Sequence, residues 1–279
     1  QGRPRKKTYL NELKSQFTGL STFLDVPNTL AGTQEIREIF GNDVFDFPKP
    51  LDLIKRLLEQ TTSENDTVLD FFSGSCPLSE AVLELNREDD SNRRFIVVQL
   101  PEPTKKGSPA QTSGYLTIAE IGKERIRRVI KRMKKEREGQ FKLDKPEDLG
   151  FKVFKLRESN YKQWSFDSID DPEAYIKQLE LFADPLIEDW LDENVTYEVS
   201  LKEGYGLNTV MENSAVKGVQ KVSDPDKEQS FYICLANQIR LKDLRPLDLK
   251  KNDLFICRDI ALDDEAAANL SLQCRLKTI

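Results

Sequence analysis

Histidine is absent from all 279 residues. That zero excludes Ser-His-Asp and Cys-His catalysis, imidazole metal ligation and an imidazole pH switch. Cysteine is scarce. Cys76, Cys234, Cys257 and Cys274 form no C-x-x-C pair, and without histidine they offer no zinc site. Cys234, Cys257 and Cys274 stand in apolar segments, as the reduced core thiols of a cytoplasmic protein do. No run nears the roughly 20 apolar residues of a membrane span, and the first ten residues lack the apolar core of a signal peptide. Apolar residues make up 38% of the chain and charged residues 32%, a lean but sufficient supply for a packed core.

The net charge of −6 argues against a wholly basic nucleic-acid coat, and its distribution says more than its sum. Residues 1–140 carry 23 Lys and Arg against 21 Asp and Glu, whereas residues 141–279 carry 19 against 27. The chain changes character near its middle. The glycine-bounded stretch 139–150 reads as the boundary between a domain over 1–140 and a second over 141–279.

Residues 1–41 open on the basic run Arg3, Arg5, Lys6, Lys7 and continue as loop until a short helix from Thr33 to Phe40, stopped by Gly41. A domain rarely opens on such a stretch, so the sequence is expected to be a piece of a longer protein. Pro50 starts a helix with Leu51, Ile54, Leu57 and Leu58 on one face. The apolar run Thr67-Val68-Leu69-Asp70-Phe71-Phe72 then reads as a buried parallel strand. A Ser73-Gly74-Ser75 turn, a helix carrying Leu78, Ala81, Val82 and Leu85, and a second buried strand over residues 94–100 follow. Helix, strand, glycine turn, helix, strand is the grammar of an α/β doubly wound sheet.

A Pro/Gly-rich loop over 101–114 leads into a long helix with Ile118, Ile121, Ile126, Val129, Ile130 and Met133 as its apolar positions. Its residues 123–137 hold nine basic side chains against two acidic, and on charge alone a solvated face outweighs a nucleic-acid contact. The later half reads as a smaller α+β domain. Its expected elements are a strand over 151–156, a helix capped by Asp171 with Pro172 in its first turn, a helical start at Asp184-Pro185 and a strand over 196–201. Strands over 231–236 and 254–257 and a helix near 265–272, with Asp264 as its cap, complete it. Nothing in this half has the spacing of a catalytic site.

The strand-to-helix turn after Asp70 is the first candidate for chemistry, because it exposes backbone N–H groups at a helix N-terminus and its glycine admits a ligand to the main chain. Alone, a purely structural turn explains it equally well. It stands, however, between Phe45-Asp46-Phe47-Pro48-Lys49-Pro50 and Asn92-Arg93-Arg94-Phe95-Ile96-Val97-Val98-Gln99-Leu100-Pro101-Glu102. This ordered set closely resembles the adenine methyltransferases of Type III restriction–modification systems, specifically the C-terminal portion of the modification subunit, most sharply over residues 45–103. The resemblance implies a Rossmann-like methyltransferase partial sheet that uses S-adenosylmethionine. It implies a cofactor site made of Phe47, Pro48, Lys49, Asp70, Phe71, Phe72, Ser73, Gly74, Ser75, Gln99 and Glu102. Lys49 and the helix start at Pro50 would meet the cofactor carboxylate, Asp70 its amino group, and Gln99, with Glu102 nearby, the ribose hydroxyls. As partners it implies DNA through the full-length enzyme, a second copy of the modification subunit and a restriction helicase-nuclease subunit, with residues 141–279 serving assembly in the cytoplasm.

Two departures qualify it. The family loop continues Gly-x-Gly-Thr-Thr, whereas this chain reads Gly74-Ser75-Cys76-Pro77-Leu78. Cys76 adds a side chain and Pro77 deletes a donor, and both oppose close approach of a cofactor. Cys76 has no evident base beside it, which rejects a nucleophile. The family's catalytic Asp-Pro-Pro-Tyr is also absent: Asp171-Pro172-Glu173, Asp184-Pro185-Leu186 and Asp224-Pro225-Asp226 read as helix starts or turns. The sequence thus predicts the cofactor-binding part of an enzyme, inactive alone and without a catalytic residue of its own. The alternative is a non-catalytic interaction module that keeps the fold, has lost the cofactor and assembles through its acidic half.

Overall fold

The computed structural model describes residues 26–138, 147–164 and 172–279, and contacts divide the chain into two units, Gln1–Val153 and Phe154–Ile279. The basic run near the N-terminus, the expected Asp171 cap and residues 139–146 of the expected boundary lie outside the described residues.

In the first unit, helix α1 (Thr29–Phe40) starts earlier than the apolar pattern indicates, because the Asn28 side chain caps it by accepting from Leu30 N. Gly41, at φ +79°, closes it by donating to Arg37 O. Gly32 of α1 lies against the main chain of the next segment: a Cβ there would meet Pro48 O at 2.4 Å. Helix α2 (Leu51–Thr61) follows Pro50, then strand β1 (Thr67–Asp70), helix α3 (Pro77–Asp89) and strand β2 (Arg94–Val97). β1 and β2 pair in parallel with Val68 opposite Phe95 and Leu69 opposite Ile96, so α3 is a βαβ crossover. A short helix α4 (Pro109–Thr112) interrupts the loop that leads to α5 (Ile118–Arg137), which begins on a capping box between Thr117 and Glu120.

The sequence pattern predicts two buried strands, and the structure corrects that. Val68 and Phe95 pack with Leu58 of α2 and Ala81, Val82 and Leu85 of α3. The opposite sheet face carries Leu69, Ile96, Val98 and Leu100, which are 43–62% exposed. Both helices lie on one side, and among the described residues nothing covers the other.

The second unit holds α6 (Pro172–Leu181), α7 (Asp192–Lys202), β3 (Val210–Asn213), β4 (Val219–Asp224), β5 (Gln229–Cys234), α8 (Leu241–Leu244), β6 (Leu254–Cys257), α9 (Asp264–Gln273) and β7 (Arg275–Thr278). Its sheet has the order β3-β4-β5-β6-β7, antiparallel up to β5 and parallel from β5 to β7. Val195 and Val199 of α7 cover one face against Val222, Phe231, Ile233 and Ile256. Leu244 of α8 and Leu270 of α9 cover the other against Val219, Phe255 and the cysteines.

Several expectations fail here for identifiable reasons. Residues 196–201 form the end of α7 rather than a strand: Val195, Thr196, Val199 and Ser200 are all buried, a helical spacing that the β-branched composition masks. Asp184-Pro185 starts no helix, because its backbone bonds to the 160–162 segment: Lys162 N donates to Pro185 O and Ile187 N to Asn160 O. Residues 151–156 are not a strand; Leu156 is fully exposed and the stretch joins no ladder. α9 is capped by Asp263, which accepts from Ala266 N, one residue before the expected cap.

Cys234 and Cys257 face each other across the parallel ladder, and Cys274 joins them in one apolar cluster. Burial pushes all three thiols up, and Cys257, with the other two thiols beside it, is pushed up to about 12. The folded state therefore favours neutral thiols. Above an ordinary thiol pKa of about 8.5 the unfolded chain releases protons that the folded chain retains, so stability falls as pH rises. Urea unfolding of the second unit should show this loss between pH about 9 and about 12. Cys257→Ala should lower stability at neutral pH yet flatten the alkaline slope; an unchanged slope would disprove the thiol origin.

Candidate functional site

The turn that ends β1 is built from its own amide bonds. Asp70 Oδ1 accepts from Phe72 N at 3.1 Å, and Val98 O accepts from Ser73 N at 3.2 Å. Gln99 Oε1 accepts from Gly74 N at 2.7 Å, and Ser73 O accepts from Cys76 N at 2.7 Å. Residues 70–76 thus reach the N-terminus of α3 with four of their N–H groups already committed. Gly74 is required twice: its φ is +52°, and a Cβ would sit 3.0 Å from the Phe45 ring.

Cys76 takes the left-handed conformation, φ +58°, at the N-cap of α3. Its side chain turns inward. Sγ donates to Ser73 Oγ at 3.4 Å and lies where a Cβ on Gly122 of α5 would come within 2.5 Å. Burial pushes this thiol up, which removes the thiolate a nucleophile needs. Pro77 is the first residue of α3, where its missing N–H deprives the helix of nothing.

The predicted residues fall into two groups, the turn from Asp70 to Ser75 with Gln99 bonded to Gly74, and the segment Phe47 to Lys49 that precedes α2. Pro48 is buried against Gly32, while Lys49 and Phe47 are exposed beside the start of α2, Phe47 at φ +53° and 86% exposed. Phe71 and Phe72 are exposed with ring centroids 5.0 Å apart. Gln99 sits just past β2, but its carbonyl is bound to Gly74 and its Nε2 donates to Leu100 O. Glu102 is exposed, its backbone carbonyl accepting from Ile118 N, and its carboxylate has no bond to the other predicted residues among those described.

The residues missed from sequence lie behind this surface. Arg125 of α5 is wholly buried. Its Nε donates to Glu80 Oε2 at 2.7 Å, Nη1 to Ser75 Oγ at 3.3 Å and Nη2 to Glu35 Oε2 at 3.4 Å. Arg132 reaches the other Glu80 oxygen at 2.8 Å and Glu84 at 2.9 Å, and Arg128 pairs with Glu124 at 2.8 Å. The basic run on α5 is therefore only partly a solvated face. A signal existed: Arg125 stands in the row Ile121, Arg125, Val129, Met133, where every neighbour is apolar. Glu35 lies half-buried, and burial pushes its carboxyl up despite the Leu51 N–H and Arg125. A groove of about 510 Å³ behind the cluster is lined by Glu35, Glu84, Arg87, Glu88 and Arg132, and it includes none of the predicted residues. No cluster of three or more acid or thiol side chains placed to hold a metal ion occurs among the described residues.

Residues 4–132 match the DNA methylase family. The chain is 33% identical over 169 residues to the Type III restriction-modification enzyme StyLTI Mod subunit of Salmonella typhimurium, covering 61% of this chain and 25% of that one. It is 40% identical over 105 residues to the EcoPI Mod subunit of Escherichia phage P1, covering 38% and 16%. It is 34% identical over 152 residues to the EcoP15I Mod subunit of Escherichia coli, covering 54% and 21%. The resemblance read from residues 45–103 is borne out. The chain spans a quarter or less of the length of these relatives.

The fit between Cys76 and Gly122 generates a stability test. Gly122→Ala forces Cβ onto Sγ and to 3.2 Å from Gly74 O, so overpacking should cost about 1–3 kcal/mol in denaturant unfolding of the first unit. In a Cys76→Ala background the same change should cost clearly less. Equal costs in both backgrounds would place the Cys76 side chain elsewhere.

Proposed function

We propose, taking the DNA methylase match of residues 4–132 as premise, that this chain is the S-adenosylmethionine-holding portion of a DNA adenine methyltransferase of a Type III restriction–modification system. In this reading the first unit is part of a Rossmann-like methyltransferase sheet and the second a smaller assembly domain. The observation that supports it is the meeting of Phe45, the turn 70–75 and Gln99 at the C-terminal ends of the parallel strands β1 and β2, where open α/β sheets bind ligands.

The residues present fit the group. Asp70 offers a carboxylate to the ammonium of the cofactor's amino-acid end, and exposed Lys49 a cation to its carboxylate. Phe47, Phe71 and Phe72 offer apolar surface. Gln99 is committed to Gly74, so exposed Glu102 takes the role at the ribose hydroxyls that the resemblance shares between the two. S-adenosylmethionine bound here supplies the methyl group for transfer. The inward course of the Cys76 side chain leaves the outer face of the loop clear, which favours binding over its loss. The non-catalytic module, which draws on Cys76 and Pro77, is the alternative that the binding test below separates from this reading.

Transfer itself needs more. Methylating an adenine amine takes a flipped base gripped at that amine, and no Asp-Pro-Pro-Tyr occurs in the sequence. We assign that grip to polypeptide outside this sequence, docked on the open face with Leu69, Ile96, Val98 and Leu100, since parallel sheets are covered on both faces. DNA, a second modification subunit and a restriction helicase-nuclease subunit are the proposed partners, and the cytoplasm the proposed location.

Titration calorimetry with S-adenosylmethionine should give saturable binding, weakened about 10-fold or more by Asp70→Asn, as for a lost hydrogen bond to a charge. A folded chain that takes up none would refute the reading. Tritiated methyl transfer to duplex DNA should be undetectable with this chain alone and appear when a polypeptide carrying Asp-Pro-Pro-Tyr is added. Incorporation by the chain alone would overturn the division of labour.

A further inference from the structure

Arg125 sends its three donor groups to three different elements: Glu80 on α3, Ser75 in the turn after β1, and Glu35 on α1. Glu80 at 2.7 Å is the nearest countercharge of the buried guanidinium, and it is shared with Arg132. The contacts to Ser75 and Glu35 are longer: Glu35 adds a second ion pair and Ser75 a neutral acceptor. Glu35 in turn accepts from Leu51 N with both oxygens, at 3.0 and 3.2 Å. Leu51 is the first residue of α2, directly after Phe47, Pro48, Lys49 and Pro50. A continuous path therefore runs from Ser75 through Arg125 and Glu35 to Leu51.

The main chains along this path are also held close. Gly32 of α1 admits the backbone of Pro48, and Gly122, one turn before Arg125, admits the backbone of Gly74. The two segments proposed to hold opposite ends of an amino-acid moiety are thus tied to one side chain that neither contains.

We infer that Arg125 is the positioning residue of the cofactor site. It fixes the spacing between the Asp70 turn and the Lys49 segment, so that an ammonium and a carboxylate on one α-carbon meet their partners together. The inference rests on the methyltransferase reading for its ligand, whereas the coupling between the two segments stands on the hydrogen bonds alone. Residue 125 touches no ligand in this account and acts through Ser75 and Glu35.

The decisive variants are Glu35→Gln, which keeps shape and an acceptor but removes charge, and Ser75→Ala. Glu35→Gln should raise the S-adenosylmethionine Kd on the order of 5-fold or more, as expected for coupled sites. It should also speed amide exchange at residues 73–76 as well as at Leu51, while β3–β7 stay unchanged. Ser75→Ala should speed exchange at Leu51. In an Arg125→Met background neither substitution should add a further effect, and if that variant fails to fold the two single variants decide. Exchange changes confined to each altered segment, with Kd unmoved and only the melting temperature lowered, would reduce Arg125 to a structural ion pair and overturn the inference. Absence of binding by the unaltered chain would sink the functional reading, and the exchange experiment would still decide the coupling.

Discussion

A guanidinium sealed from water is the constraint around which the first unit is assembled. Removing one partner of such a buried pair costs about 3–5 kcal/mol, because the remaining charge has no solvent to turn to. Domain stabilities lie near 5–15 kcal/mol, so Arg125 and Glu80 are tolerable only when α3 and α5 are both in place. Arg132 on the second Glu80 oxygen extends the same requirement along α5. The apolar contacts of Leu83 with Val129 and Met133 could form in several registers, since hydrophobic burial has no direction. The forked hydrogen bonds of Arg125 admit one. Packing supplies the cohesion here and the ion cluster supplies the register, which fits a unit whose loop amides are already tied down before any ligand arrives.

The two sheets contrast in how their faces are used. In the second unit α7 covers one face and α8 with α9 the other, and the inward-facing positions of β4, β5 and β6 are almost dry. In the first unit α2 and α3 crowd onto one face, and among the described residues nothing covers the apolar row on the other. Both strands there are parallel, an arrangement that needs burial on each side to retain its hydrogen bonds away from water. Such a row fits the docking surface proposed above. The same asymmetry explains why sequence reading overestimates burial. The continuous apolar runs of residues 67–72 and 94–100 encode two covered faces, and the described residues supply one.

Local signals account for most of what the sequence reveals. Pro50 and Gly41, read as a helix start and a helix stop, stand at the N-cap of α2 and the C-cap of α1, whereas the Asn28 cap and the Thr117/Glu120 capping box come to light only in the structure. The proposed cofactor residues come from an order along the chain that the resemblance supplies, and in that stretch Phe45 lies against Gly74. What stays hidden is set by contacts across the chain. Arg125 looks like one of nine solvated cations until Glu80, 45 positions earlier, is folded against it. Gln99 looks like a ligand group until Gly74 N is found on its carbonyl. Residues 196–201 look like a strand because Val, Thr and Tyr favour extended chain, and only tertiary burial of Val195 and Val199 reveals the helical period.

The departure at Cys76 illustrates how such cross-chain terms change the meaning of a local substitution. Judged along the chain, a cysteine where the resembling family has glycine adds bulk at a point of close approach and demands a left-handed backbone that costs roughly 1–2 kcal/mol for a residue with a side chain. Judged in space, the added sulfur goes into room that α5 leaves open because position 122 has no side chain, and it gains a buried contact with Ser73. The glycine missing at 76 has in effect a counterpart at 122. Conformational strain remains at Cys76, but steric obstruction does not follow from it, because backbone dihedrals decide the cost of a residue while the direction of its Cβ decides whom it obstructs. In this loop that direction is inward, toward Gly122, and the outer face is lined by Asp70, Phe71 and Phe72 instead.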